Sequence, residues 1–161
     1  MGVWTGTVPN LAVTLHAVTS TELDVLHDIA VALTDPYTAY TPTMTGTGFS
    51  IGNGSQTGGY RQVGKAVDGW FVIIGGSTTN WGSVAWTTAL PVTSNMGTGQ
   101  PVGIITGALN SGAARFAGWL WQNGAASAAS VQENSTRWSA TVPLTFGTGS
   151  ELRGWFHYEA A

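Results

Sequence analysis

The stretch QVGKAVDGWFVII, residues 62 to 74, contains a hairpin turn and the strand that leaves it. Gly64 at the first central position suits a two-residue II′ loop, because glycine reaches positive φ without a steric cost. That loop sets Val63 opposite Ala66 and Arg61 opposite Asp68 on two antiparallel strands. Beyond it, WFVII (70–74) is apolar on both faces of an extended chain. Such a strand needs cover twice, from the second layer of a sandwich on one side and from a neighbour on the other. Phe71 and Ile73 are therefore expected at an oligomer interface.

Working outward, the chain from Tyr37 onward has period two. In WSATVPLTF (138–146), Trp138, Ala140, Val142, Leu144 and Phe146 alternate with small polar residues and Pro143, giving one dry and one wet face. VAWTTALPV (84–92) predicts the same for Val84, Trp86, Leu90 and Val92, with Thr88 in the middle of the dry face. Turn signals recur as GNG, VGK, GGSTTN, SNMGTG, NSG, QNG and GTGS, at intervals suited to an all-β sandwich. Pro91 and Pro143 remove ladder donors and predict edges or bulges.

Within this region GFSIG (48–52) spells the G-x-S-x-G elbow of serine esterases. An elbow requires a helix after the serine. The following NGSQTGGYRQVGK has no 3.6 period and several glycines, so Ser50 is read as a strand residue between inward-facing Phe49 and Ile51. No other catalytic pattern stands out. His16, His27 and His157 form no ligand spacing, Gly64-Lys65-Ala66 lacks the hydroxyl of a phosphate loop, and the glycines of 46–54 do not space as a dinucleotide fingerprint. The expectation is a chain without metal, cofactor or catalytic site, and not an enzyme.

Upstream, Thr19 and Glu22 fit a capping box, Leu23, Leu26, Ala30 and Leu33 form a heptad-like stripe, and Pro36 stops the helix. A lone helix of this length is marginal in water, so residues 19–35 are expected to oligomerise or to rest on the β domain. Residues 1–18 carry Pro9 and no clear period, and are read as an extended anchoring arm whose contacts are Val3, Trp4, Val8, Pro9 and Leu11. The β-sandwich is assigned to residues 37–161.

Composition narrows the partners. Only 8% of the 161 residues are charged and 43% are hydrophobic, against about 25% charged in ordinary soluble domains. The five Lys and Arg are scattered and the net charge is −3, so no basic stripe exists to neutralise phosphates. Nucleic acid is not expected as a partner. Neither is a membrane: LAVTLHAV is too short to span one, and the first residues lack a basic n-region. The chain has no cysteine, which excludes thiol chemistry and disulfide scaffolding.

A resemblance rests on YTAYTPTMTGTGFSIGNGSQTGGYRQVGKAVDGWFVIIGGSTTNWGSVAWTTALPV, residues 37–92, with its order of aromatic-T-x-Y-T-P-T, G-N-G, G-x-Y-x-x-V-G-K-x-V, G-S-T-T and L-P-V. It resembles the β module of structural proteins of actinobacterial tailed phages, which serve as minor tail, fibre or head-appendage proteins. The segment WTGTVPNLAVTLHAVTSTELDVLHDIAVAL before it is similar to the arm and helix that precede that module. The resemblance implies an all-β, jelly-roll-like sandwich, trimeric and exposed on a virion, with no shared catalytic residues. It extends the expectation to a homotrimeric capsid decoration or head fibre, made in the host bacterial cytoplasm and docked on another virion protein, the major capsid protein. The competing expectation is a tail-fibre or minor-tail module that binds host cell-wall glycan. For that reading WLWQNG offers Trp119 and Trp121, which share one face if Leu120 takes the other. The same two indoles suit a subunit interface.

Overall fold

The computed structural model describes residues 19–34, 36–110, 114–123, 128–133 and 136–161. The arm residues Val3, Trp4, Val8, Pro9 and Leu11 lie outside them, as does the side chain of Leu33.

Helix α1 spans Ser20–Thr34. Its start is the capping box expected from sequence: the Thr19 amide and hydroxyl donate to Glu22 Oε2 at 2.7 and 2.9 Å, and the Glu22 amide donates back to Thr19 Oγ1 at 3.3 Å. Leu23, Val25, Leu26, Ile29 and Ala30 are all exposed.

The strands are β1 (Thr38–Tyr40), β2 (Met44–Thr45), β3 (Phe49–Ser50), β4 (Ser55–Val63), β5 (Ala66–Ile74), β6 (Asn80–Trp81), β7 (Thr87–Ala89), β8 (Pro101–Ala108), β9 (Arg115–Gln122), β10 (Ala128–Glu133), β11 (Thr136–Arg137) and β12 (Glu151–Glu159). Ten of them form one antiparallel sheet, ordered β1-β4-β5-β12-β8-β9-β10-β7-β2 with β11 on β10, while β3 and β6 pair separately. Among the described residues the fold is therefore all-β with one helix. The β4–β5 hairpin has the register set by its turn: Val63 faces Ala66, Arg61 faces Asp68, and Gly64 has φ +58°.

Alternation decides which face is dry. Val67, Phe71 and Ile73 of β5, Leu152, Phe156 and Tyr158 of β12, Ile105 of β8 and Leu120 of β9 are buried in one cluster. That cluster also takes Met44 from β2, at the far end of the strand order. Large and small residues alternate across its rows: Phe71 faces Gly154, which faces Ile105, which faces Gly118. The glycines give the large rings room to lie across neighbouring strands at native packing density.

Two expectations need correction. Residues 138–146 alternate as expected in burial, with Trp138, Leu144 and Phe146 buried, but they form no strand beyond the isolated Ser139–Val142 bridge. They cap the core instead: a Cβ on Gly107 would lie 2.9 Å from Trp138 and 3.1 Å from Phe146. Phe146 packs with Trp81 and Trp86, ring centroids 5.2 and 5.0 Å away, and the Trp86 indole donates to Trp81 O at 2.7 Å. Sealing this end with indoles leaves little room for a regular ladder. In the same region Val84 is exposed and only Thr87–Ala89 is extended, although Trp86, Thr88 and Leu90 are buried as expected.

The second correction concerns the interface. Phe71 and Ile73 lie in the core of a single copy, 1% and 0% exposed, and have no surface to offer another. The face of WFVII that remains open carries Trp70, Val72 and Ile74.

Candidate functional site

The open face is built by register. Trp70 on β5 stands directly opposite Trp155 on β12, Trp155 opposite Ile104 on β8, and Ile104 opposite Trp119 on β9. Directly opposed residues of an antiparallel pair point to the same side. Four large apolar side chains on four adjacent strands thus form one transverse row. They are 37%, 47%, 47% and 55% exposed in that order, whereas Phe71, Ile105 and Leu120 beside them in sequence are buried. With strands about 4.8 Å apart, the row spans about 14 Å. Trp121 sits two residues beyond Trp119 on the same side and is half-buried, so Leu120 does face the core and the two indoles do share the other face. A hollow of about 250 Å³ beside the row is lined by Ile104, Thr106, Ala117 and Trp119.

Polar groups border the row. On one side Asp68 accepts a hydrogen bond from the Tyr37 hydroxyl at 2.5 Å and pairs with Arg61 at 3.5 Å, while the Arg61 guanidinium lies 5.6 Å from the Tyr37 ring centroid. The Tyr37 phenol is raised above its ordinary value, first because it donates to Asp68, then through partial desolvation and the Asp68 charge. His157 faces Asp68 across β5 and β12. On the other side Arg153 pairs with Glu151 at 2.9 Å. Tyr37 also joins the apolar row: a Cβ on Gly59 would lie 3.2 Å from both Tyr37 Cβ and Trp70 Nε1. The chain leaving α1 therefore meets the β domain at the edge of this face.

Of the residues singled out from sequence, Trp119 and Trp121 fall on this face. Leu23, Leu26 and Ala30 are on the exposed helix next to it, and Phe71 and Ile73 are behind it in the core. Trp70, Trp155 and Ile104 were missed. Alternation in ELRGWFHYE puts Trp155 on the wet side, but its alignment with Ile104 depends on strands some fifty residues apart, which no local pattern specifies.

Ser50 is exposed on β3, and after the Gly52–Asn53 turn the chain enters strand β4. The helix that an elbow would need at that point is a strand. Asn53 ties this turn to the next one, accepting from the Thr78 amide at 2.9 Å and donating to Ser77 Oγ at 3.0 Å. Among the described residues no three His, Asp or Glu side chains converge as metal ligands, and no helix is long and apolar enough to cross a membrane.

Surface chemistry of this kind can do one thing well: it can bury flat apolar area against a partner with a charged rim for register. Comparison with known proteins finds no matching family model, no matching curated protein and no matching solved structure.

Proposed function

We propose that this chain is a non-catalytic structural protein of a bacteriophage particle, an exposed homotrimeric appendage that decorates the capsid through its N-terminal arm. On this reading the curled ten-stranded sheet and the small β3–β6 sheet make a jelly-roll-like sandwich that projects from the virion, and the arm docks on the major capsid protein. The observation that carries it is the amount of apolar surface open on a single copy of a chain with 8% charged residues: the exposed apolar face of α1, and the row Trp70, Trp155, Ile104 and Trp119. Monomers rarely leave contiguous apolar patches of that extent uncovered. The resemblance of residues 4–92 to phage appendage modules supplies the setting. Cryo-electron microscopy of particles tests the placement, with density on the head expected. Sedimentation tests the assembly, and a monomer at micromolar concentration would contradict it.

A second reading, a glycan-binding tail module, is favoured by one observation: Trp119 and Trp121 lie side by side on an open face, as sugar-stacking indoles do. Density at the tail tip would favour it.

A further inference from the structure

We infer that the outer aromatic row is the seat of helix α1 from a neighbouring copy of the same chain, so that each subunit gives one helix and receives one. The inference rests on the self-association proposed above and names the two surfaces that meet.

The first observation is the width of the helix face. At about 100° per residue, the exposed Leu23, Val25, Leu26, Ile29 and Ala30 cover an arc of roughly 160°, which in the first turn also holds the capping Glu22. A coiled-coil seam uses only the narrow a and d positions. A broad face suits a broad partner, and the row of Trp155, Ile104 and Trp119 is apolar and crosses three adjacent strands. The hollow beside Ile104 and Trp119 has room for a branched aliphatic side chain such as Leu26 or Ile29.

The second observation is charge. Helix α1 holds Glu22, Asp24 and Asp28 with no Lys or Arg. All five Lys and Arg lie in the β region, against four acids there (Asp68, Glu133, Glu151 and Glu159), which leaves it at +1. Arg61, Arg115 and Arg153 stand on the same side of the sheet as the row, against Asp68, Glu151 and Glu159, so the charges of that face balance. Helices of net −3 repel one another when bundled, whereas the balanced outer face of the sheet offers no such repulsion.

The third observation is continuity. Tyr37, three residues past α1, packs with Trp70 over Gly59 at one end of the row. The chain leaving α1 therefore joins the β domain at one end of the row. A contact between two different surfaces of identical subunits is heterologous, and with the right rotation it closes into a ring of three.

The chain has no cysteine, so each introduced one is unique. Full-length Leu26→Cys and Ala117→Cys chains, carrying different tags, are co-expressed and oxidised, with the wild type sedimented in parallel. The expected result is a trimeric wild type and a disulfide joining one Leu26→Cys copy to one Ala117→Cys copy, with at least a tenfold lower yield when either variant is alone. A monomeric wild type overturns the assembly itself. A trimer in which Leu26→Cys chains cross-link to each other, and not to Ala117→Cys, overturns only the docking and returns the helices to a bundle. Trp119→Glu, at an exposed position, is expected to stay folded by circular dichroism and to lose the trimer at micromolar concentration; a trimer that persists counts against the seat. Soluble β-1,4-linked N-acetylglucosamine oligomers are expected to leave tryptophan emission unchanged. A shift abolished by Trp119→Ala would assign the face to sugar.

Discussion

The Phe156 ring of β12 lies over Gly69 of β5, so a Cβ at Gly69 would collide with Phe156 Cζ and sit 2.6 Å from Gly59 O. The relation is reciprocal, since Phe71 of β5 lies over Gly154 of β12. Gly69→Ala is expected to destabilise the chain by about 1–3 kcal/mol through overpacking, read from the denaturant midpoint. Phe156→Leu in the Gly69→Ala background should recover part of that loss, with a coupling on the order of 1 kcal/mol. Additive single effects would mean that the two residues do not touch.

Asp68→Asn removes the negative charge from the group that accepts the Tyr37 proton and pairs with Arg61, and leaves one acceptor oxygen in place of two. The Tyr37 phenol should then titrate at lower pH, toward the ordinary tyrosine range, as followed by NMR of its ring. Stability should change by no more than about 1 kcal/mol, because the pair is partly exposed.

Burial pushes the Tyr158 phenol from 10.0 up to about 12 and raises Tyr40 as well. Below pH 10 both phenols are protonated whether the chain is folded or not, and they add no pH dependence. Between about 10 and 12 the unfolded chain has lost protons that the folded chain retains, so rising pH favours unfolding. Urea midpoints should be level through neutral pH and fall above 10. The fall should be shallower in Tyr158→Phe, although that variant also loses the hydroxyl's contacts with the Val92 backbone.

Leu26→Asp puts a charge in the exposed helix face. The expected outcome is weaker association in sedimentation with the β domain still folded by circular dichroism, because Leu26 lies outside the buried core. Loss of the β signal would show that α1 supports the sheet within one copy.

Ser50→Ala should leave the denaturant midpoint within about 0.5 kcal/mol of wild type, as exposed substitutions do. Wild type should show no turnover of activated acyl esters. Serine-dependent hydrolysis would contradict the strand reading.

Local chemistry was legible and long-range register was not. Gly64 announced a turn that fixed nine pairings of β4 with β5, and Thr19 with Glu22 announced the helix start, because each depends on residues a few positions apart. Burial was legible even where structure was not: Trp138, Leu144 and Phe146 are inside as their alternation required, but alternation measures which residues avoid water and not whether they pair in a ladder. Phe71 and Ile73 were misassigned because an all-apolar strand leaves its two faces indistinguishable by sequence. Only the row partners Gly154, Ile105 and Gly118 identify the inner one.

Strand β12 follows every other described strand in sequence and stands in the middle of the sheet, between β5 and β8. During synthesis the β4–β5 and β8–β9 hairpins emerge first, each with an inner edge of unpaired backbone groups. Neither edge can be closed until Glu151–Glu159 has left the ribosome and inserted between them. Completion of the sheet thereby waits on this strand and on pairings of high sequence separation, and the hazardous interval is the one before it arrives, when two bare edges can join copies side by side.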